Sequence, residues 1–132
     1  VITEVHIMKY REFLAVAALL NERLGVTPML FGSVGLERRL GTDLGADDVD
    51  VLLPEHTLKN DWEKVSDLMA ESGYSPSAGK TRGFLKDGVM IEFGSIEGVA
   101  EFAGLDITAV PHELDGGADY LLLDLPMYLR VY

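Results

Sequence analysis

The stretch Asp48–Pro54, Asp-Val-Asp-Val-Leu-Leu-Pro, constrains this chain more than any other. Its alternation is that of a strand, with Asp48, Asp50 and Leu52 on one face and Val49, Val51 and Leu53 turned to a core on the other. Pro54 ends it, because proline has no N–H for a sheet ladder. Aspartates at i, i+2 stand about 6–7 Å apart along a strand, so their side chains can converge on a shared divalent cation. Alone, Asp-x-Asp also reads as two solvated acids where a strand leaves an acidic loop, here Gly41–Asp47. A metal site needs further parts elsewhere in the chain.

The flanking sequence supplies helices and strands in alternation. Met8–Leu24 places Phe13, Ala17, Leu20 and Leu24 at helical spacing, with Gly25 as a C-terminal stop. A short apolar strand follows at Met29–Phe31, broken by Gly32 and Ser33, and residues 34–40 allow a helical turn or two. Leu58–Ser72 carries the stripe Trp62, Val65, Leu68 and Met69 of a second helix, started near Asn60. Asp87-Gly88 between Thr81–Lys86 and Val89–Gly94 predicts a β-hairpin. Beyond Gly98, residues 99–110 suggest another strand, residues 112–119 a turn, and Tyr120–Asp124 a strand. Pro126 opens a terminal helix, and its uncapped, apolar end suggests a helix cut short at Tyr132.

These elements predict an α/β (α+β) fold, a short mixed sheet flanked by helices, in one domain over residues 1–132. Eleven Lys and Arg against 22 Asp and Glu give a net charge of −11, which argues against a broad grip on nucleic acid. A single phosphate-bearing ligand stays compatible, since one divalent cation can reverse the field inside a cleft. Cysteine is absent, which excludes disulfides and thiolate chemistry and agrees with a cytoplasmic setting. The apolar run Phe13–Leu20 is too short to span a bilayer, and no membrane association is expected. His6, His56 and His112 lack the i, i+4 spacing of a histidine metal site, and no nucleophile elbow surrounds Ser33.

Two features complete a candidate site. Glu92 lies among apolar residues in Val-Met-Ile-Glu-Phe-Gly, on the strand face opposite Ile91 and Phe93. If the Asp48 strand pairs beside the hairpin, three acids meet at one sheet end. Gly32-Ser33 offers a backbone turn leading into a helix N-terminus, which favours phosphate. Arg38 and Arg39 follow closely enough to reach phosphates. Lys80 and Arg82, entering the hairpin, could steer a polyphosphate or guard a sheet edge against pairing.

The order helix, Leu-Phe-Gly-Ser, spacer, Asp-Val-Asp-Val-Leu-Leu-Pro, helix, hairpin with Ile-Glu-Phe resembles the nucleotidyltransferase superfamily that includes DNA polymerase beta, in its minimal single-domain form. The likeness covers about residues 8–94. It implies helices on one side of the sheet and Gly32 and Ser33 as a nucleotide-binding turn, assisted by Arg39 and Arg82. It also implies Asp48, Asp50 and Glu92 as catalytic residues and ligands of Mg2+ or Mn2+. The implied reaction transfers a nucleoside monophosphate from a nucleoside triphosphate to a hydroxyl acceptor. A catalytically inactive binding module, or a toxin–antitoxin component with a protein partner or as a homodimer, is the alternative. The chain departs from the family in its long spacer, in Glu rather than Asp as the third acid, and in lacking an acceptor-binding domain.

Overall fold

The computed structural model describes residues 2–132. Its first helix, α1 (Glu4–Leu24), starts where the Thr3 hydroxyl accepts the His6 N–H and stops at Gly25, which is left-handed at φ 63°. Tyr10, Phe13, Val16, Ala17 and Leu20 form its buried stripe. The stripe also takes in His6, a polar residue that the apolar pattern alone did not include. Strand β1 (Met29–Phe31) runs into α2 (Gly32–Leu40), and β2 (Val49–Leu53) follows the acidic loop. Asp48 thus lies in a bend just before β2 rather than inside it.

The single helix expected over Leu58–Ser72 is two, α3 (Glu55–Asn60) and α4 (Trp62–Glu71), hinged at Asp61. Then come β3 (Ser75–Pro76), β4 (Gly83–Lys86) and β5 (Val89–Ser95). The hairpin turn between β4 and β5 has positive φ at both Asp87 (48°) and Gly88 (80°), as a two-residue turn matched to strand twist requires.

The strand expected over 99–110 is not formed. Those residues lie in helix α5 (Ile96–Ala103) and a 3-10 turn (Ile107–Ala109), because the Ser95 hydroxyl caps the Gly98 N–H and commits the chain to helix. Nor is 112–119 merely a turn: β6 (His112–Asp115) pairs with β7 (Ala118–Leu122), and Gly116 and Gly117 alone make the reversal. Helix α6 (Leu125–Val131) is capped by Asp124, whose carboxylate accepts the Met127 N–H.

The sheet is mixed, seven strands in the order β3-β4-β5-β2-β1-β7-β6. The β2–β5 and β1–β7 pairs are parallel, the others antiparallel. Val49, Val51, Leu53, Ile91 and Phe93 are buried on one face, where Trp62 of α4 packs on Phe84 and Phe93. Phe31 belongs to the opposite face, and the Tyr128 and Tyr132 rings stack beside it. Helices therefore stand on both sides of the sheet, with α6 beside the acidic face. Among the described residues, no helix is long and apolar enough to cross a membrane.

Candidate functional site

Strand register lays out the site. Phe31 is opposite Asp50, Asp50 is opposite Glu92, and Glu92 is opposite Gly83. Opposed residues share a sheet face, so these four form one row across β1, β2, β5 and β4. Three strand spacings make the row roughly 14 Å long. Asp50 and Glu92 are the middle of it, brought side by side by a parallel pairing between elements forty residues apart.

Asp50 is half-buried and flanked by acids, and its carboxyl is pushed up to about 6. Burial is the main cause, followed by the charges of Glu92 and Asp48, with Lys80 pulling the other way. The acids do not close into a cage. Asp48 stays at the mouth of the strand, and no group of three or more His, Asp or Glu poised to hold a metal ion occurs among the described residues. The structure pairs two of the three expected acids and leaves the third near enough to be felt as charge. The donors are all carboxylate oxygens, the type that suits a hard divalent cation.

At one end of the row, Gly32 opens α2 with φ +65°, and a Cβ there would lie 2.2 Å from Asp50 Oδ2. Glycine is required both by the backbone and by the approach of the carboxylate. No side chain caps α2 at Phe31, so its first-turn N–H groups remain directed at this region. Ser33 is exposed beside them. Tyr128 braces the turn from α6, its hydroxyl donating to the Gly32 carbonyl at 3.2 Å and filling the space where a Gly35 side chain would stand.

At the other end, the missing side chain of Gly83 makes room for Lys80, whose Cβ would be 2.6 Å from a Gly83 Cβ. Lys80 Nζ thereby reaches within 3.2 Å of Glu92 Oε2. The pair is ionic but poorly aligned for a hydrogen bond, and Oε2, itself covered, has no hydrogen-bond partner among the described residues. Two small adjoining cavities follow the row. One, of about 240 Å³, is lined by Phe31, Asp50, Leu52, Glu92, Phe93 and Gly94. The other, of about 280 Å³, is formed by residues 79–82 with Glu92 and Phe93.

The arginines divide. Arg39 is spent elsewhere: Nε and Nη2 donate to the Leu123 and Leu122 carbonyls at 2.8 and 2.9 Å, and Nη1 pairs with Glu113 at 2.7 Å. It clamps the end of β7 and is not offered to a nucleotide. Arg82 lines the second cavity, its guanidinium over the Trp62 ring. Arg38 stacks on Tyr10.

Sequence reasoning missed the support behind the acidic loop. His6 Nδ1 and Glu37 Oε1 meet at 2.7 Å, both wholly buried, and Glu37 Oε2 accepts the Leu44 and Ala46 N–H groups at 2.6 and 3.4 Å. Lys9 donates to the Ala46 carbonyl from α1. This pair ties α2, which carries the Gly-Ser turn, to the loop that delivers Asp48. The available signal was His6 extending the Tyr10, Phe13, Ala17 stripe by one helical step. Phe31, Tyr128 and Tyr132 were missed as an aromatic group beside the acids; sequence places Phe31 only at the end of a short strand and the tyrosines only in the terminal helix, and it is the register that puts Phe31 opposite Asp50.

The chain is 36% identical over 123 residues to the uncharacterized protein YnaI of Bacillus subtilis (strain 168), a match spanning 93% of this chain and 79% of YnaI. It belongs to the YnaI family. No family model and no solved structure matches the chain. Kinship with YnaI assigns no chemistry, so function has to be argued from the acidic row.

Proposed function

We propose that this chain is a metal-dependent nucleotidyltransferase that moves a nucleoside monophosphate from a nucleoside triphosphate to a hydroxyl. The observation that carries the reading is the Asp50–Glu92 register beside the Gly32 turn. It sets two carboxylates with one tethered ammonium as counter-ion in front of an uncapped helix N-terminus.

Asp48, Asp50 and Glu92 are the residues that would hold Mg2+ or Mn2+, which supplies charge neutralisation for the attacking and leaving oxygens when bound. The Gly32–Ser33 turn binds the polyphosphate through backbone N–H groups and the Ser33 hydroxyl. Glu92 accepts the acceptor's hydroxyl proton. The acceptor oxygen then bonds to the α-phosphorus as the bond from that phosphorus to the α,β-bridging oxygen breaks, and pyrophosphate leaves in line.

Lys80 favours a second reading. An ammonium already seated on Glu92 partly neutralises the acids, as expected of a domain that binds nucleotide or a protein partner without turnover. Pyrophosphate release from ATP, GTP, CTP and UTP with Mg2+ or Mn2+ and mixed hydroxyl acceptors separates the two. Release that disappears in Asp50→Asn supports transfer. Metal-dependent nucleotide binding without release supports the inactive module.

A further inference from the structure

A cavity of about 500 Å³, larger than either cavity along the acidic row, lies at the opposite end of the sheet. It opens below the start of β1, the end of β2 and the passage from β5 into α5, between α3 and the last turn of α1. Pro54 on its wall is four positions from Asp50, so the cavity stands about 13 Å from the acids along β2. Its lining joins the buried apolar side chains of Val26, Ile96 and Leu121 to the carboxylates of Asp61 and Glu97. No Lys or Arg among the described residues lines it, and the C-terminal end of α1 adds partial negative charge.

Thr57 indicates what the cavity takes. A helical Ser or Thr commonly returns its hydroxyl to the carbonyl four residues back, as Ser72 does to Leu68 at 2.9 Å. Thr57 does not: it is only 3% exposed, lines the cavity, and its hydroxyl has no hydrogen-bond partner among the described residues. Asp61 lies one helical turn further on, on the same face, with its N–H on the Thr57 carbonyl at 2.9 Å. The Asp61 side chain does not cap α4, and Lys64, 69% exposed, comes no nearer than 3.9 Å.

We propose that this cavity binds a small organic ammonium ion, whose N–H groups donate to the Thr57 hydroxyl and the Asp61 carboxylate while its apolar body covers Val26, Ile96 and Leu121. Carboxylates without a facing cation repel an anion. The acids are not grouped to hold a metal ion among the described residues, and a purely apolar guest would leave the Thr57 hydroxyl unpaired. A mostly apolar cavity of this size with a few convergent polar groups is the usual form of a small-molecule site. The site is separate from the acidic row and does not depend on the transferase reading.

Benzylammonium chloride titrated into the full chain tests it, followed by the amide NMR shifts, with benzyl alcohol as the neutral analogue of like shape and ammonium chloride as the salt control. Saturable shifts are expected at Val26, Thr57, Asp61 and Ile96, and neither control should reproduce them. Asp61→Asn should weaken the affinity by about tenfold, the loss of a charge-assisted contact, and Thr57→Val, which keeps the shape, by about threefold. The remaining resonances show whether each variant is folded. Benzyl alcohol binding as tightly as benzylammonium overturns the ammonium assignment. Shifts that spread over the exposed acids without saturating, or an affinity that both variants retain, overturn the site. A loss of affinity in Asp50→Asn, which should have none, moves the ion to the acidic row and overturns it as well.

Discussion

The molecule holds two carboxylate sites with opposite logic. Glu37 is almost wholly buried, yet every demand of its charge is met: His6 faces one oxygen, and the loop N–H groups of Leu44 and Ala46 face the other. Asp50 and Glu92 are closer to solvent but face one another, with Lys80 reaching Glu92 from the side away from Asp50, and the Asp50 carboxyl is raised. At Asp50 burial comes first and the neighbouring acids second, with only Lys80 opposing them, whereas the deeper Glu37 has partners on both oxygens. The deeper acid is satisfied and the shallower pair is under-satisfied, and the proposed cation site rests on that contrast.

Four substitutions break or sharpen this contrast. The largest effect belongs to Glu37→Ala, which strands His6 and two loop N–H groups. A loss of about 3–5 kcal/mol is expected, read as a lower urea midpoint at unchanged slope. Next is Gly32→Ala, which forces a side chain into a left-handed backbone and onto Asp50 Oδ2. It should destabilise by about 1–3 kcal/mol, and part of that should return in Gly32→Ala/Asp50→Ala, the fraction due to the clash.

Asp50→Asn should go the other way. Asp50 has its carboxyl raised from 3.8 to about 6 on folding, so the folded protein holds the proton more tightly than the unfolded chain. Wild-type stability from this group is full below about pH 4 and is lost as pH rises to about 6. Asp50→Asn should therefore gain stability at pH 8 in the absence of metal, by less than about 1 kcal/mol after solvent screening, and gain nothing at pH 4. Thermal melts at the two pH values check it; equal gains at both would remove charge repulsion as the cause. The smallest effect is expected at the exposed Arg23–Glu71 pair, where Glu71→Gln should stay within about 0.5 kcal/mol.

What could be read from sequence follows the same division between local and long-range causes. The β2 strand was legible because alternation and Pro54 are local, and the β4–β5 hairpin because Asp87-Gly88 sets its own turn. Strand β6 was not: His-Glu-Leu-Asp is short, polar and on a sheet edge, with Leu114 exposed, and only the Gly116-Gly117 turn announced it. Helix α5 buries a single residue, Ile96, so no apolar stripe marked it.

For the site, Asp50 and Glu92 could be named but not joined, since their facing positions depend on strand order. Asp48 was placed one step too far into the strand. Arg39 looked available because proximity in sequence to Gly32-Ser33 says nothing about the β7 carbonyls that occupy it. The His6–Glu37 pair spans thirty-one positions and left only a polar residue on an apolar stripe as a trace.

The central claim is that the under-satisfied acids are kept for a cation. Isothermal calorimetry of Mn2+ into the chain with ATP present, alongside Asp48→Asn/Asp50→Asn, tests it most directly. The account predicts saturable, metal-dependent binding in the wild type and none in the double variant. Equal heats from the two proteins, or none from either, would contradict it.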